Sequence, residues 1–178
     1  MYLVILLTCG IFSAILAALL LFFARSLVFM FSIFQGPVYV PSSDEDMQTM
    51  LKMAQLKKGT RVIDLGSGNG KIVLAAAQAG AIATGVEINP FLVRAARKNI
   101  QEAGMQKTAK ILQQSFWKTG LSKYDVIFLY GTTYIMKKLE VKLRTEMKPG
   151  AVFISNYFQL PQLQPKQALG KIRKYQVR

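Results

Sequence analysis

The sequence predicts an α/β domain with an open, mostly parallel β-sheet and helices on both faces, preceded by one N-terminal transmembrane helix. Three observations support this prediction. Short apolar runs alternate with segments of helical periodicity from about residue 44 onward. A turn with three glycines follows the first apolar run, and a long uncharged segment precedes the whole series. We expect residues 1–34 to form an anchor with its juxtamembrane segment and residues 35–178 to form one domain.

The N-terminal segment Tyr2–Ala24 carries no charged residue. As a helix it would span roughly 34 Å, enough to cross a bilayer core of about 30 Å. A cleaved signal peptide is the alternative, but a basic start and small residues at a cleavage site are not evident. Arg25 and the basic chain after it place the domain on the cytoplasmic side. The stretch Ser26–Val40 is broken by Gly36 and Pro37, so we expect it to leave the bilayer and lie at the interface or against the domain.

The domain is predicted to open with a helix, because Ser42 and Glu45 have capping-box spacing and apolar residues recur at helical spacing from Met47 to Ala54. Strands and helices then alternate. The predicted strands are Arg61–Leu65, Ile82–Glu87, Ala109–Gln113, Tyr124–Tyr130 and Ala151–Asn156. The predicted helices are Lys71–Ala79, a helix capped by Asn89 that runs from Pro90 to Ala103, and a helix from about Thr133 to Met147.

Composition excludes several kinds of chemistry. The chain has no histidine, which removes imidazole bases, Ser-His-Asp catalysis and most zinc sites. Its one cysteine, Cys9, lies in the apolar segment, so a disulfide framework or an iron–sulfur cluster cannot be built from this chain. We therefore predict no metal site and expect the reactive group to come from a bound cofactor.

The three glycines lie between the first strand and the helix that begins at Lys71. Gly66, Gly68 and Gly70 alternate with other residues, a pattern that lets backbone approach a ligand closely. Glu87 ends the next strand, where an acid can accept hydrogen bonds from both hydroxyls of a ribose. Together these features predict a nucleoside site.

The identity of the nucleoside follows from the spacing. Lys71 stands where the dinucleotide fingerprint has its third glycine, and the chain has no phosphate-binding G-x-x-x-x-G-K-[ST] loop, which disfavours NAD and ATP. Asp64 would repel a pyrophosphate but suits the ammonium group of a methionyl moiety. The sequence therefore points to S-adenosylmethionine. The alternative, a turn that serves only the topology, is disfavoured because loop, helix and distant acid occur together.

The strings DLGSGNG and GVEINP resemble the cofactor-binding motifs of class I S-adenosylmethionine-dependent methyltransferases. The longer series YVPSS, VIDLGSGNGKIVLAAA, GVEINPFLVRAARKN and LEVKLRTEMKPGAVFISNYF is similar to small protein-lysine methyltransferases. That group includes archaeal broad-specificity enzymes and membrane-anchored mitochondrial enzymes that act on the ATP synthase c-subunit and the adenine nucleotide translocase. The resemblance implies a Rossmann-like fold, methyl transfer to a lysine ε-amine, and a domain on the matrix side if the chain is mitochondrial.

The resemblance also implies roles for matching positions. The loop around the methionine moiety would comprise Asp64, Gly66, Ser67, Gly68 and Gly70, while Glu87 would bind the ribose and Ile88 and Asn89 would flank the adenine. The family commonly has Asp before the aromatic residue that follows the third strand. Here Ser115 precedes Phe116, so we expect serine, water or backbone to hold the adenine amino group. A full class I sheet adds two antiparallel strands after Phe158; only Lys171–Val177 has a suitable pattern, so we expect a shortened sheet.

The acceptor site is expected at the carboxyl ends of the strands, where open α/β sheets bind ligands. We assign Tyr130 as channel wall or hydrogen-bond acceptor and Thr132 as a positioning group. Tyr39, Tyr134 and Tyr157 are the candidate substrate contacts, because aromatic rings hold an ammonium until it loses its proton. The alternative is that these tyrosines only pack.

The formal net charge of +14 lies mostly in the C-terminal part. Beside an anchor this charge favours contact with an anionic lipid surface, and we expect a protein partner that is itself membrane-associated. Nucleic acid is disfavoured, because no Asn-Pro-Pro-Tyr-like string follows the fourth strand. Two alternatives remain open: a methyltransferase that acts on a lipid or small molecule, and a non-catalytic cofactor-binding membrane module.

Overall fold

The computed structural model describes residues 2–35 and 43–176. Its helices are α1 (Tyr2–Gln35), α2 (Asp44–Ala54), α3 (Lys71–Gln78), α4 (Pro90–Glu102) and α5 (Thr133–Glu146), with a 3₁₀ turn at Phe116–Lys118. Its strands are β1 (Arg61–Leu65), β2 (Ile82–Glu87), β3 (Ala109–Gln113), β4 (Val126–Tyr130), β5 (Val152–Asn156), β6 (Gln167–Leu169) and β7 (Ile172–Gln176).

The strands form one sheet in the order β3-β2-β1-β4-β5-β7-β6. The first five strands are mutually parallel, and β7 pairs antiparallel with both β5 and β6. Strand residues alternate between two hydrophobic clusters: Val62 packs with α2, α3 and α4, whereas Ile63 packs with α5. Helices therefore cover both faces, as predicted. We call the edge where the parallel strands end the carboxyl edge.

The predicted shortening of the sheet is wrong. Two antiparallel strands follow Phe158: β7, which was predicted, and β6, which was not. Strand β6 has only three residues, and all of them are exposed at the outer end of the sheet. Such a strand shows no alternation of apolar and polar residues, so its pairing depends on backbone hydrogen bonds that sequence patterns do not reveal.

The start of α2 differs from the prediction by one residue. Ser43 is the N-cap, and its Oγ accepts a hydrogen bond from the amide of Asp46 at 3.1 Å. The predicted pair of Ser42 and Glu45 has the same spacing, but Ser42 lies outside the described residues. Two adjacent serines followed by three acids leave the register of the cap undetermined in the sequence.

Helix α1 is continuous over 34 residues. It therefore extends past Ala24, and the predicted break at Gly36 and Pro37 lies outside the described residues. Residues 7–27 have a mean hydropathy of 2.5 and are long and apolar enough to cross a membrane, judged by length and composition alone. Near the domain, the guanidinium of Arg25 lies 5.1 Å from the ring centre of Phe91 in the first turn of α4.

Candidate active site

The glycine loop after β1 adopts backbone conformations that favour glycine. Gly66, Gly68 and Gly70 have φ angles of +79°, +54° and +79°. The amides of Gly66 and Ser67 donate to the carbonyl oxygen of Val86 at 2.8 and 3.0 Å. The loop is therefore fixed to β2 and leads directly into α3.

Two glycines allow neighbouring elements to approach closely. A Cβ at Gly70 would lie 2.9 Å from the Cβ of Ala96 on α4, and one at Gly85 would lie 2.5 Å from the Oγ of Ser67. Gly85 was not singled out from the sequence, although a glycine inside a strand indicates close backbone approach. Because Gly85 has no side chain, the glycine loop can pack directly against β2.

The carboxylate of Glu87, at the end of β2, accepts three backbone hydrogen bonds. They come from Gly68 at 3.0 Å and from Ile88 and Asn89 at 2.8 Å each. Asn89 also caps α4, as predicted, because its Oδ1 accepts from the amide of Phe91 at 3.0 Å. Glu87 thus joins the glycine loop to the start of α4 and stands at the carboxyl edge.

Asp64 lies in β1, opposite Gly85 of β2 and Phe128 of β4, and is only 4% exposed. Burial, followed by the negative charge of Glu87, raises the pKa of Asp64 to about 7. A buried acid of this kind is stabilised in its charged form by a cation nearby. The site therefore favours a ligand with an ammonium group.

Two hydroxyl groups at the carboxyl edge are buried and have no hydrogen-bond partner in the described part of the chain. One is Ser67 Oγ in the glycine loop, and the other is Thr132 Oγ1 at the start of α5. Thr132 holds the N-cap position of α5 but makes no side-chain capping bond. Buried hydroxyls usually have partners, so both are suited to contact a ligand.

Ser115 lies at the carboxyl edge, whereas the adjacent Phe116 is buried in the core. The amide of Gln114 donates to the carbonyl oxygen of Glu87 at 3.1 Å, which brings Ser115 to the carboxyl edge beside β2. Phe116 is 4% exposed and packs in the cluster that contains Val86. Phe116 therefore packs in the core next to the site, and Ser115 is the more accessible of the two.

Aromatic side chains gather where β4 and β5 end. The ring of Tyr130 lies 6.4 Å from that of Phe158, which lies 5.0 Å from that of Tyr157. Tyr134, in the first turn of α5, is exposed. Tyr39 lies outside the described residues. Two of the predicted aromatic residues, Tyr130 and Tyr157, thus lie close to each other through Phe158.

The backbone of Tyr157 is strained. Its φ angle is +75°, which is rare for a bulky side chain. Such conformations cluster at functional sites, where the surrounding structure holds them. Here the amide of Tyr157 donates to the carbonyl oxygen of Lys171 at 2.9 Å, and the hydroxyl of the neighbouring Ser155 donates to the carbonyl oxygen of Phe158.

Two ion pairs connect the first turn of α2 to the carboxyl edge. Asp44 pairs with Lys71, directly after the glycine loop, at 2.7 Å, and Asp46 pairs with Lys171, directly before β7, at 2.8 Å. None of these four residues was singled out as a site residue from the sequence. The only signal was the acidic first turn of the helix, which by itself indicates helix stabilisation.

A family model described as the ANTKMT methyltransferase domain matches residues 64–167. The chain belongs to this methyltransferase family. The chain is also 35% identical over 133 residues to the ATP synthase c-subunit lysine N-methyltransferase of Rattus norvegicus, covering 75% of this chain and 61% of the rat protein. It is 32% identical to a protein-lysine N-methyltransferase of Saccharolobus islandicus, covering 74% of this chain and 83% of that protein.

Among solved structures, the methyltransferase is similar to an RNA methyltransferase from Salinibacter ruber in complex with S-adenosyl-L-homocysteine. The TM-score is 0.73 and the identity 32%, with 78% of this chain and 92% of that chain covered. A methyltransferase from Thiobacillus denitrificans with the same compound bound shares the fold, with a TM-score of 0.58 and 22% identity. The cofactor of this family is accordingly S-adenosylmethionine.

The residues of the methyltransferase fit that cofactor. The glycine loop leaves room for close backbone approach, Ser67 offers an unpartnered hydroxyl, and Asp64 favours an ammonium group. Within residues 2–35 and 43–176, no group of three His, Cys, Asp or Glu side chains is placed to hold a metal ion.

Proposed function

We propose that this chain transfers the methyl group of S-adenosylmethionine to the side-chain amine of a protein lysine. The strongest support for lysine as the acceptor is the position of three aromatic residues. Tyr130, Tyr157 and Phe158, the aromatic group, lie on the same edge of the sheet as Glu87 and the glycine loop. The rat and Saccharolobus islandicus relatives are both named as lysine N-methyltransferases.

The proposed cofactor contacts follow the order of the strands along the carboxyl edge. Asp64 pairs with the α-ammonium group, and Glu87 binds the ribose hydroxyls. The loop Gly66, Ser67, Gly68 and Gly70 surrounds the methionine moiety, while Ile88, Asn89, Ser115 and Phe116 border the adenine. Because Glu87 already accepts three backbone hydrogen bonds, its orientation is fixed before any ligand arrives.

The chemistry requires alignment and a neutral nucleophile. S-adenosylmethionine, when bound, supplies a methyl group activated by its sulfonium. A lysine amine has a pKa near 10.4, so only about one in 2,500 is neutral at pH 7. Removal from water among Tyr130, Tyr157 and Phe158 lowers that pKa, and the proton leaves to solvent before the amine attacks. Tyr130 and Thr132 orient the amine nitrogen.

We further propose that α1 anchors the domain to a membrane and that the acceptor is a membrane-associated protein. Residues 7–27 supply the length and hydropathy, and the net charge of +14 favours an anionic lipid surface on the cytoplasmic or matrix side. Replacing Leu16 and Leu20 by arginine tests the anchor, since each charge costs about 3 kcal/mol at a membrane centre. Leu16→Arg with Leu20→Arg is expected to move the full chain into the soluble fraction, whereas Val141→Arg, at an exposed position of α5, is expected to leave it in membranes.

RNA is the second candidate acceptor. The Salinibacter ruber neighbour, described as an RNA methyltransferase, is covered over 92% of its length, and the basic charge of this chain would attract phosphate. The chain spans 61% of the rat lysine methyltransferase, so the substrate of the longer protein is part of the proposal.

One labelling experiment separates these acceptors. The full chain is incubated with S-adenosylmethionine carrying a radioactive methyl group, together with membranes and total RNA, and label is measured in methyl-lysine, lipid and RNA. We expect label in methyl-lysine, its loss with Asp64→Ala, and no loss with the surface control Glu102→Gln. Label confined to RNA or lipid would replace the lysine assignment, and absence of label with intact cofactor binding would favour the non-catalytic alternative.

A further inference from the structure

Lys171, an exposed residue directly before β7, lies at the carboxyl edge and pairs with an acid on α2. The Nζ of Lys171 lies 2.8 Å from Oδ2 of Asp46 on α2. Because β7 runs antiparallel to β5, the residue before β7 lies where β5 ends, next to the aromatic group. The hydrogen bond from the amide of Tyr157 to the carbonyl oxygen of Lys171, at 2.9 Å, fixes this arrangement.

The groups around this ammonium are those that bind cations. Burial alone would raise the pKa of Asp46, but hydrogen bonds from Lys171, Ser43 and Asn156 lower it, so the carboxylate stays charged. The pKa of Lys171 is raised first by its hydrogen bond to Asp46 and also by Tyr130 and Tyr157. Lys171 therefore stays an ammonium that is paired with the carboxylate of Asp46.

Three features distinguish this ion pair from an ordinary surface pair, which contributes little to stability. The side chain of Asp46 is 14% exposed, although that of Lys171 is 47% exposed, whereas the side chains of Lys98 and its partner Glu102 are 73% and 63% exposed. Asn156, which bonds Asp46, is buried at the end of β5 and lies opposite Tyr130 of β4. Tyr157 keeps a strained backbone at the same place.

We propose that Asp46, Asn156 and Tyr157 form an entry subsite at which the acceptor lysine first binds as an ammonium, before it loses its proton and reacts, and that Lys171 fills this subsite until a substrate lysine displaces it. This inference rests on the proposed function. The exchange replaces one ammonium by another, so it breaks no covalent bond and needs no further reactant. Lys171 thereby keeps the acidic subsite neutralised in the free enzyme and makes the acceptor compete for entry.

Variants separate the two halves of the proposal. Lys171→Gln removes the ammonium of Lys171 and is expected to lower the KM for a pentapeptide with one central lysine by 3- to 10-fold, with kcat little changed. Asp46→Asn removes the carboxylate and is expected to raise that KM by 10-fold or more. Lys110→Gln, which removes the same charge from an exposed side chain of β3, is expected to change neither. Unchanged affinity for S-adenosylhomocysteine shows that each variant is folded.

A second measurement does not depend on turnover. In the full chain labelled with ¹⁵N-lysine and saturated with S-adenosylhomocysteine, the ammonium signal of Lys171 is identified by its loss in Lys171→Gln. We expect n-butylammonium to shift this signal. The signal of Lys110 should not shift comparably, and neither should the signal of Lys171 in Asp46→Asn. A Lys171 signal that does not respond, with an unchanged KM in Lys171→Gln, would overturn the subsite. A responding signal in a chain that transfers no methyl to lysine would preserve the ammonium subsite and overturn the proposed function instead.

Discussion

The carboxylate of Glu87 accepts a hydrogen bond from the amide of Gly68 at 3.0 Å, so the acid at the end of β2 holds the loop that follows β1. The same side chain accepts from Ile88 and Asn89 at the start of α4. One carboxylate therefore fixes the relative positions of two segments that are adjacent in space and 19 residues apart in sequence. The geometry of the proposed nucleoside site depends on this connection.

Replacing Glu87 by glutamine tests that dependence. The amide has one acceptor oxygen and no charge, so at least one of the three backbone N–H groups loses its partner, at a cost of roughly 1–3 kcal/mol. We expect S-adenosylhomocysteine to bind at least 10-fold more weakly by calorimetry and the melting temperature to fall. Glu102→Gln, at an exposed ion pair at the end of α4, is the control and is expected to change neither value. Equal binding by both variants would contradict the assignment of Glu87.

Gly85 provides a test of the space beneath the loop. A Cβ at this position would lie 2.5 Å from Ser67 Oγ and 2.6 Å from the Cδ1 of Ile111, so the loop or the strand must move. We expect Gly85→Ala to reduce the free energy of unfolding by about 1–3 kcal/mol and to weaken cofactor binding. At Gly120 the added methyl group meets no atom within 4 Å, so Gly120→Ala should be nearly neutral. Chemical denaturation of both variants checks the difference.

The order of the strands and helices could be predicted from sequence because the signals are local. Asn89 before Pro90 marks the start of α4, and the alternating glycines mark the turn after β1. The three-residue strand β6 could not be predicted, because all its side chains are exposed and backbone pairing alone defines it.

The candidate site was predictable where one short segment supplies it. The glycine loop and Glu87 come from recognisable strings, whereas Asp46 and Lys171 are 125 positions apart and meet only because β7 reverses direction beside β5. Gly85 has the same character: its importance comes from Ser67 across a strand boundary, a contact that its own neighbours in sequence do not indicate.

Asp64 is expected to give cofactor binding a pH dependence near neutrality. Burial and the charge of Glu87 raise its pKa from 3.8 to about 7, so at pH 6 the free site holds a proton that an ammonium ligand must displace. Affinity for S-adenosylhomocysteine should therefore rise roughly 10-fold from pH 6 to pH 8. Asp64→Asn should bind weakly with a flat profile. A flat profile for the unaltered chain would show that Asp64 is ionised throughout.

The same raised pKa has a consequence for stability. The folded chain keeps the proton on Asp64 between pH 4 and 7, whereas the unfolded chain has released it. The contribution of this group to stability is thus full below pH 4 and is lost as the pH rises through 7. Relative to the unaltered chain, Asp64→Asn should gain stability on going from pH 5 to pH 8, which denaturation at both pH values measures.

Tyr157 combines backbone strain with a position in the proposed acceptor subsite. Glycine adopts its φ of +75° without the side-chain clash, which costs about 1–2 kcal/mol, although glycine also makes the unfolded chain more flexible. We expect Tyr157→Gly to leave stability unchanged or slightly increased while methyl transfer falls by 10-fold or more, and Tyr157→Phe to keep most of the activity through its ring. Gln55, the other described non-glycine residue with positive φ, ends α2 away from the carboxyl edge. Gln55→Gly should resemble Tyr157→Gly in stability and leave methyl transfer unchanged. If both variants lost activity to the same extent, the loss would come from a general loosening of the fold and not from removal of the Tyr157 ring.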